Sequence, residues 1–132
     1  MKLVRHILKT KGRAAWSIGP DEPVYAALQV MAEKNVGALV VMKDGKVAGI
    51  VSERDYARKI ALKGKNSRET LVQEIMTSPA ICVTSDRTVE QCLALMTDKH
   101  IRHLPVVDDD QLVGLVSVGD LVKSVISSQK EL

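Results

Sequence analysis

Phenylalanine is absent from this 132-residue chain, which has one tryptophan and two tyrosines. Its interior must therefore be aliphatic, built of Val, Leu, Ile, Ala and Met, with few platforms on which single-stranded bases could stack. Cysteine is almost as scarce. Cys82 and Cys92 form no CxxC pair and are too few for a disulfide framework, so they read as reduced thiols. No apolar run approaches a membrane span, and the basic segment 1–11 lacks the apolar core of a signal peptide. The expected location is the cytoplasm, with no membrane insertion. Charge of one sign is also lacking: the net value is +3, with Lys and Arg interspersed among Asp and Glu. That balance gives no electrostatic footprint for duplex DNA, and no nucleic-acid partner is expected. A P-loop is missing, and no spacing suggests a Ser/His/Asp or Cys/His arrangement. The expectation is a chain that is not an enzyme.

What the chain has is an internal repeat. Shifted by 65 residues, Asp21, Val24, Leu28, Met31 and Lys34 fall on Asp86, Val89, Leu93, Met96 and Lys99. Leu39, Val41, Asp44, Gly49, Val51, Ser52 and Asp55 fall on Leu104, Val106, Asp109, Gly114, Val116, Ser117 and Asp120. No gap is needed between Ser17 and Ile60. A chain this long buries roughly two-thirds of its unfolded surface, enough for one compact domain or two small repeats that share a core.

Each copy reads as β-α-β-β-α. Short strands are predicted at 16–18 and 81–83. Helix-start residues follow, Pro20, Asp21 and Pro23 in copy one and Ser85 and Asp86 in copy two. Val24, Leu28 and Met31, like Val89, Leu93 and Met96, lie at i, i+4 and i+7 on one helix face. Two strands come next, 38–42 with 47–52 and 104–107 with 112–117, joined by Asp44-Gly45 in copy one and by Asp108-Asp109-Asp110 in copy two. A second helix begins near Asp55 and near Asp120. The predicted boundaries are 1–62 for repeat one with a lead-in helix, 63–70 for a polar linker, and 71–132 for repeat two. The fold class is α/β: two pseudo-symmetric βαββα units packed sheet to sheet, with a shared cleft and Val41, Ile50, Val106 and Leu115 in or near the core.

The chemistry sits where each copy ends its last strand. Gly49-Ile-Val-Ser52-Glu-Arg-Asp55 and Gly114-Leu-Val-Ser117-Val-Gly-Asp120 share Gly-φ-φ-Ser-x-x-Asp, with φ aliphatic. Taken alone, Ser followed three residues on by an acid approximates a capping box, although Glu is the usual partner. The same geometry suits a nucleotide. A helix N-terminus favours phosphate, and a carboxylate can accept hydrogen bonds from both hydroxyls of a ribose. Its occurrence twice, at matched positions, favours the second reading.

On these residues, together with His103-Leu104-Pro105-Val106-Val107-Asp108 and the lead-in Glu74-Ile75-Met76-Thr77, nearly the whole chain resembles a tandem pair of CBS domains, the regulatory module named after cystathionine β-synthase. The resemblance implies a regulatory, non-catalytic pair that binds AMP, ADP, ATP or a related adenosyl ligand between the copies and frequently forms a homodimer. With no enzyme or transporter domain in this sequence, the regulated partner is expected to be a separate chain. Carried over by position, Asp55 matches the ribose-holding acid, with Ser52 beside it. Trp16, Val36 and Gly37 match the adenine pocket, and Arg102 and His103 the phosphate contacts. Arg54 adds charge, whereas Arg58 reads as a surface residue. Ser117 and Asp120 keep the ribose pattern in the second site. Gly37's counterpart there is Arg102, which would crowd adenine, and Gly37 and Ala38 stand where a phosphate would want Arg or His.

Three rival readings accompany this one. NAD(H) could be the ligand, reaching Arg102 and the basic residues 9–13. Both Ser-x-x-Asp motifs could merely cap helices in a dimerisation scaffold; separately, the helix stripes would extend an apolar face for the expected homodimer. His100-x-x-His103 with Cys82 or Cys92 could bind a metal in a small enzyme, but a strand start already explains His103.

Overall fold

The computed structural model describes residues 2–12 and 15–130, the side chain of Lys130 excepted. Its contacts divide the chain into two compact units, Trp16–Ala80 and Met1–Ala15 with Ile81–Leu132. Among the described residues no helix is long and apolar enough to cross a membrane.

In the unit Trp16–Ala80, β1 (Ser17–Ile18) runs parallel to β2 (Ala38–Lys43), and β2 pairs antiparallel with β3 (Lys46–Ser52). Helix α2 (Val24–Lys34) connects β1 to β2, and α3 (Glu53–Tyr56) follows β3 directly, continuing as a π-helical turn over Ala57–Ala61. A short α4 (Val72–Ile75) comes later in the same unit. The hairpin turns at Asp44 and Gly45, with φ of 52° and 76°, the left-handed pair that a two-residue hairpin demands. Val24 and Met31 of α2 are buried with Leu39, Val41 and Val51, and Leu28 packs at the edge of that cluster.

The second unit repeats the plan at the same offset. Helix α5 (Val89–Lys99) leads to β4 (His103–Asp108), β5 (Gln111–Ser117) and α6 (Val118–Lys130). Ala38 faces Ser52 across the first hairpin and His103 faces Ser117 across the second. Both ladders carry an irregularity at the matched place, Val41/Met42 and Val106/Val107. Asn35 and His100 end α2 and α5 in the same left-handed conformation, with φ of 55° and 56°. Asp109 and Asp110 take the left-handed pair at the second hairpin. Asp is tolerated there, less readily than Gly. Of the expected core residues, Val41 and Val106 are fully buried, while Ile50 and Leu115 are half-buried.

Three expectations differ from this structure. No strand forms at 81–83; Val83 makes only a single bridge to Val106, because pairing there does not extend beyond one residue. The stripes Val24–Leu28–Met31 and Val89–Leu93–Met96 do not extend an outer apolar face, since each packs into its own unit's core. The exposed apolar face belongs instead to α6, through Val118, Val122 and Ile126. The third difference concerns the lead-ins. Helix α1 (Val4–Lys11) precedes repeat one but buries Val4, Ile7 and Leu8 among the residues of repeat two. Segment 72–76, which precedes repeat two, packs with repeat one. The division 1–62, 63–70 and 71–132 follows the chain, whereas the packing exchanges the lead-ins. Each repeat has a glycine that permits this. A Cβ on Gly49 would lie 2.6 Å from the Thr77 carbonyl oxygen, and one on Gly114 would lie 2.6 Å from a Leu8 methyl.

Candidate functional site

Strand directions gather the predicted residues of the first repeat. Because β1 and β2 are parallel and β3 is antiparallel to them, the start of β1, the start of β2 and the end of β3 share one end of the sheet. Trp16, Val36 with Gly37, and Ser52 are therefore at the same edge. The Trp16 carbonyl accepts from the Val40 N–H at 3.0 Å, and the Gly37 carbonyl accepts from the Glu53 N–H at 3.0 Å. Trp16 is 39% exposed, and the Lys34 ammonium lies 4.5 Å from its ring centroid. Val36 is half-buried against the core. At Gly37 a Cβ would lie 3.2 Å from Glu53 Oε1, so any larger residue must displace that side chain.

Ser52 has an extended backbone and caps α3. Its Oγ accepts from the Asp55 N–H at 3.1 Å, while Asp55 Oδ2 accepts from the Ser52 N–H at 2.9 Å and from its hydroxyl at 3.0 Å. This is a complete reciprocal cap, with Asp in the place usually taken by Glu. The other carboxylate oxygen, Oδ1, is 3.2 Å from Lys59 Nζ, which also donates to the Ile75 carbonyl at 2.8 Å. The Asp55 side chain is 14% exposed. An oriented and largely sheltered carboxylate at a helix start is a ready acceptor for paired hydroxyls. Arg54 and Arg58 are both exposed.

The second repeat places Ser117 and Asp120 in the same way. The Ser117 N–H donates to Asp120 Oδ2 at 2.8 Å, and the Asp120 N–H to Ser117 Oγ at 3.1 Å. The cation differs: Lys11 Nζ of α1 is 2.7 Å from Asp120 Oδ2 and donates to the Leu115 carbonyl at 2.9 Å. Burial pushes the Asp120 carboxyl up, but the Lys11 hydrogen bond, the Ser117 backbone bond, the Lys11 charge and the Ser117 hydroxyl outweigh it and hold it below the ordinary carboxylate range. Arg102 keeps the backbone bond that Gly37 makes, its carbonyl accepting from the Val118 N–H at 3.0 Å, and it is exposed. His103 opens β4 opposite Ser117 and is half-buried. Arg102 and His103 thus share a unit and a sheet end with Ser117, while the adenine-pocket residues belong to the unit of Ser52.

Sequence reasoning missed the lysines. Lys59 was findable, being at i+4 from Asp55 on a helix. Lys11 had no such signal, because its partner is 109 residues away. His100 is accounted for as the left-handed C-cap of α5. Among the described residues no three His, Cys, Asp or Glu side chains gather as a metal set. Cys92 lies in the core, where burial raises its thiol pKa more than the nearby Arg87 charge lowers it, leaving an inert thiol.

Comparison with known proteins shows the family and the fold. The family model of the CBS domain matches residues 11–62 and 72–127. The CBS domain-containing protein CBSX3, mitochondrial, of Arabidopsis thaliana is 42% identical over 97% of this chain, which spans 66% of that protein's length. A solved CBS-domain protein from Burkholderia ambifaria is 46% identical with a TM-score of 0.91, covering 97% of this chain and 96% of its own. The CBS domain pair of protein MJ0100, solved in complex with 5′-methylthioadenosine and S-adenosyl-L-methionine, is 25% identical with a TM-score of 0.83, covering 98% of each chain.

Proposed function

The chain belongs to the CBS-domain family, as two tandem copies, and from that premise we propose that it is a non-catalytic regulatory module whose first repeat binds an adenine nucleotide at the start of α3. The observation that carries this reading is the Asp55 carboxylate, sheltered, held by Ser52 and Lys59, and set at the sheet end that also bears Trp16 and Gly37. Asp55 would accept from the ribose hydroxyls, Ser52 would donate to the sugar or phosphate, and Trp16, Val36 and Gly37 would bound the adenine. The adenosyl ligands of the MJ0100 pair support a ligand of this class. Arg54, together with phosphate contacts by Arg102 and His103, belongs to the same proposal. Occupancy would act by differential affinity: a ligand that binds one conformation better shifts the population toward it, and a partner chain reads the shift. A homodimer through the exposed α6 face, and a cytoplasmic setting, complete the proposal.

A second site at Ser117 and Asp120 is disfavoured because Arg102 replaces the glycine beside the helix start. NAD(H) is the competing ligand. Of the basic residues expected to reach it, Lys11 is engaged with Asp120 and Arg13 lies outside the described residues. The scaffold reading draws on the completeness of both caps, since each Ser–Asp pair satisfies itself without a ligand.

A thermal-shift screen against AMP, ADP, ATP, NAD and NADH separates these readings, because a ligand that binds only the native state raises the melting point. The proposal expects a rise with at least one adenine mononucleotide, and no rise with that ligand in Asp55→Ala. A rise only with NAD or NADH would favour the competing ligand. No rise with any of the five would favour the scaffold.

A further inference from the structure

Helices α1 and α6 flank an open groove of about 270 Å³ within the unit that carries repeat two. Its charged lining is Lys2, Lys11, Lys123 and Asp120, with His6 the other titratable side chain. Lys11 answers the charge of Asp120 at 2.7 Å, so the ammonium groups of Lys2 and Lys123 are left uncompensated among the described residues. Ser124, also on the wall, has a buried hydroxyl with no hydrogen-bond partner among the described residues. A buried unpartnered hydroxyl is a cost to the fold that a bound acceptor would remove. The repeat explains how the space arose. Position 124 corresponds to Lys59, which in the other unit reaches both Asp55 and the Ile75 carbonyl. Here the long side chain is replaced by a serine, and Lys11 supplies the cation from the opposite helix.

His6 contributes a further donor. Its Nδ1 accepts from the Leu3 N–H at 3.0 Å, which leaves the proton of the neutral ring on Nε2. The lining therefore offers two free ammonium groups, a hydroxyl in need of a partner, and an N–H. Donors outnumber acceptors along this lining, whose one carboxylate, Asp120, is already engaged by Lys11.

We propose that this groove binds a phosphate dianion, either free or as the head of a small phosphomonoester, held by Lys2 and Lys123, with the Ser124 hydroxyl turning from its buried position to donate to it. The site is separate from the nucleotide site proposed at Asp55. It shares Lys11 with the Ser117–Asp120 helix start, so an anion there bears on how tightly Lys11 holds Asp120.

The test is an amide NMR titration of the full chain with inorganic phosphate and, separately, with glycerol 2-phosphate, each at ionic strength fixed with sodium chloride. The expected result is saturable shifts at Thr10, Lys11 and residues 123–127. Saturation by phosphate alone assigns the free ion, and saturation by the ester assigns a phosphomonoester head. Lys2→Gln and Lys123→Gln should each weaken binding about tenfold, the loss of one charge-assisted bond. Lys123 is exposed and Lys2 half-buried, so circular dichroism of each variant accompanies its titration. Ser124→Ala gives a second sign: it should raise the melting point of the ligand-free protein and weaken phosphate. No saturable shift with either probe, the same shifts with chloride, or unchanged affinity in the two lysine variants would overturn the proposal.

Discussion

Lys11 and Asp120 form a 2.7 Å ion pair between α1 and the first turn of α6, and this pair distinguishes two helix starts that the sequence renders alike. In repeat one the acid takes its lysine from its own helix, Lys59 at 3.2 Å. In repeat two the lysine comes from the lead-in of the other repeat. The same carboxylate is thus held by cations of different origin, and each can be removed separately.

Removal of Lys11 has a predicted pH signature. Because the folded carboxyl of Asp120 lies below its ordinary value, its contribution to stability is present above that ordinary value and lost as pH falls through the folded one. Lys11→Met leaves burial less opposed, so Asp120 should titrate higher in the variant. The pair is partly exposed, so the cost at pH 7 should be modest, about 0.5–1 kcal/mol. That cost should shrink as acid protonates Asp120 in both proteins. Urea unfolding from pH 7 down to pH 3, with a carboxyl NMR titration, checks both statements.

The exchange of lead-ins predicts where damage is felt. Leu8 is 2% exposed and packs with repeat two, so Leu8→Ala should cost about 2–5 kcal/mol. Hydrogen exchange should then accelerate over β4 and β5 more than over β2 and β3. If the faster amides were in β2 and β3, the lead-in would belong to the repeat that it precedes.

The two close-approach glycines should differ in tolerance. An alanine Cβ at Gly49 would meet the fixed carbonyl of Thr77, whereas at Gly114 it would meet the tip of Leu8, which can change rotamer. Gly49→Ala is expected to destabilise by about 1–3 kcal/mol and Gly114→Ala by less, as thermal unfolding of the two variants will measure.

The repeat, the hairpins, the helix stripes and the Ser-x-x-Asp caps were legible in the sequence because each rests on local chemistry at short spacing. Asp44-Gly45 marked its turn by residue type alone, and Ser52 with Asp55 marked a helix start. The exchange of lead-ins was not legible. Leu8 and Met76 resemble each other in pattern, and pattern says that a helix face is apolar without saying which sheet covers it. The short strand expected at 81–83 failed because a two- or three-residue strand is decided by pairing, which local propensity does not encode. The residues proposed to bind a nucleotide come from the family resemblance, and the lysines that hold the two aspartates depend on packing.

The most direct test of the central claim is isothermal titration of the adenine nucleotide that gives the largest thermal shift, into the parent protein, Asp55→Ala, Asp120→Ala and Arg102→Ala, each checked for folding by circular dichroism. Loss of the bonds from Asp55 to ribose should weaken binding about tenfold or more. Asp120→Ala should leave the tight site intact, and Arg102→Ala should weaken phosphorylated ligands while sparing adenosine. Equal and small effects of Asp55→Ala and Asp120→Ala would contradict the account, leaving both motifs as helix caps and the chain as a scaffold.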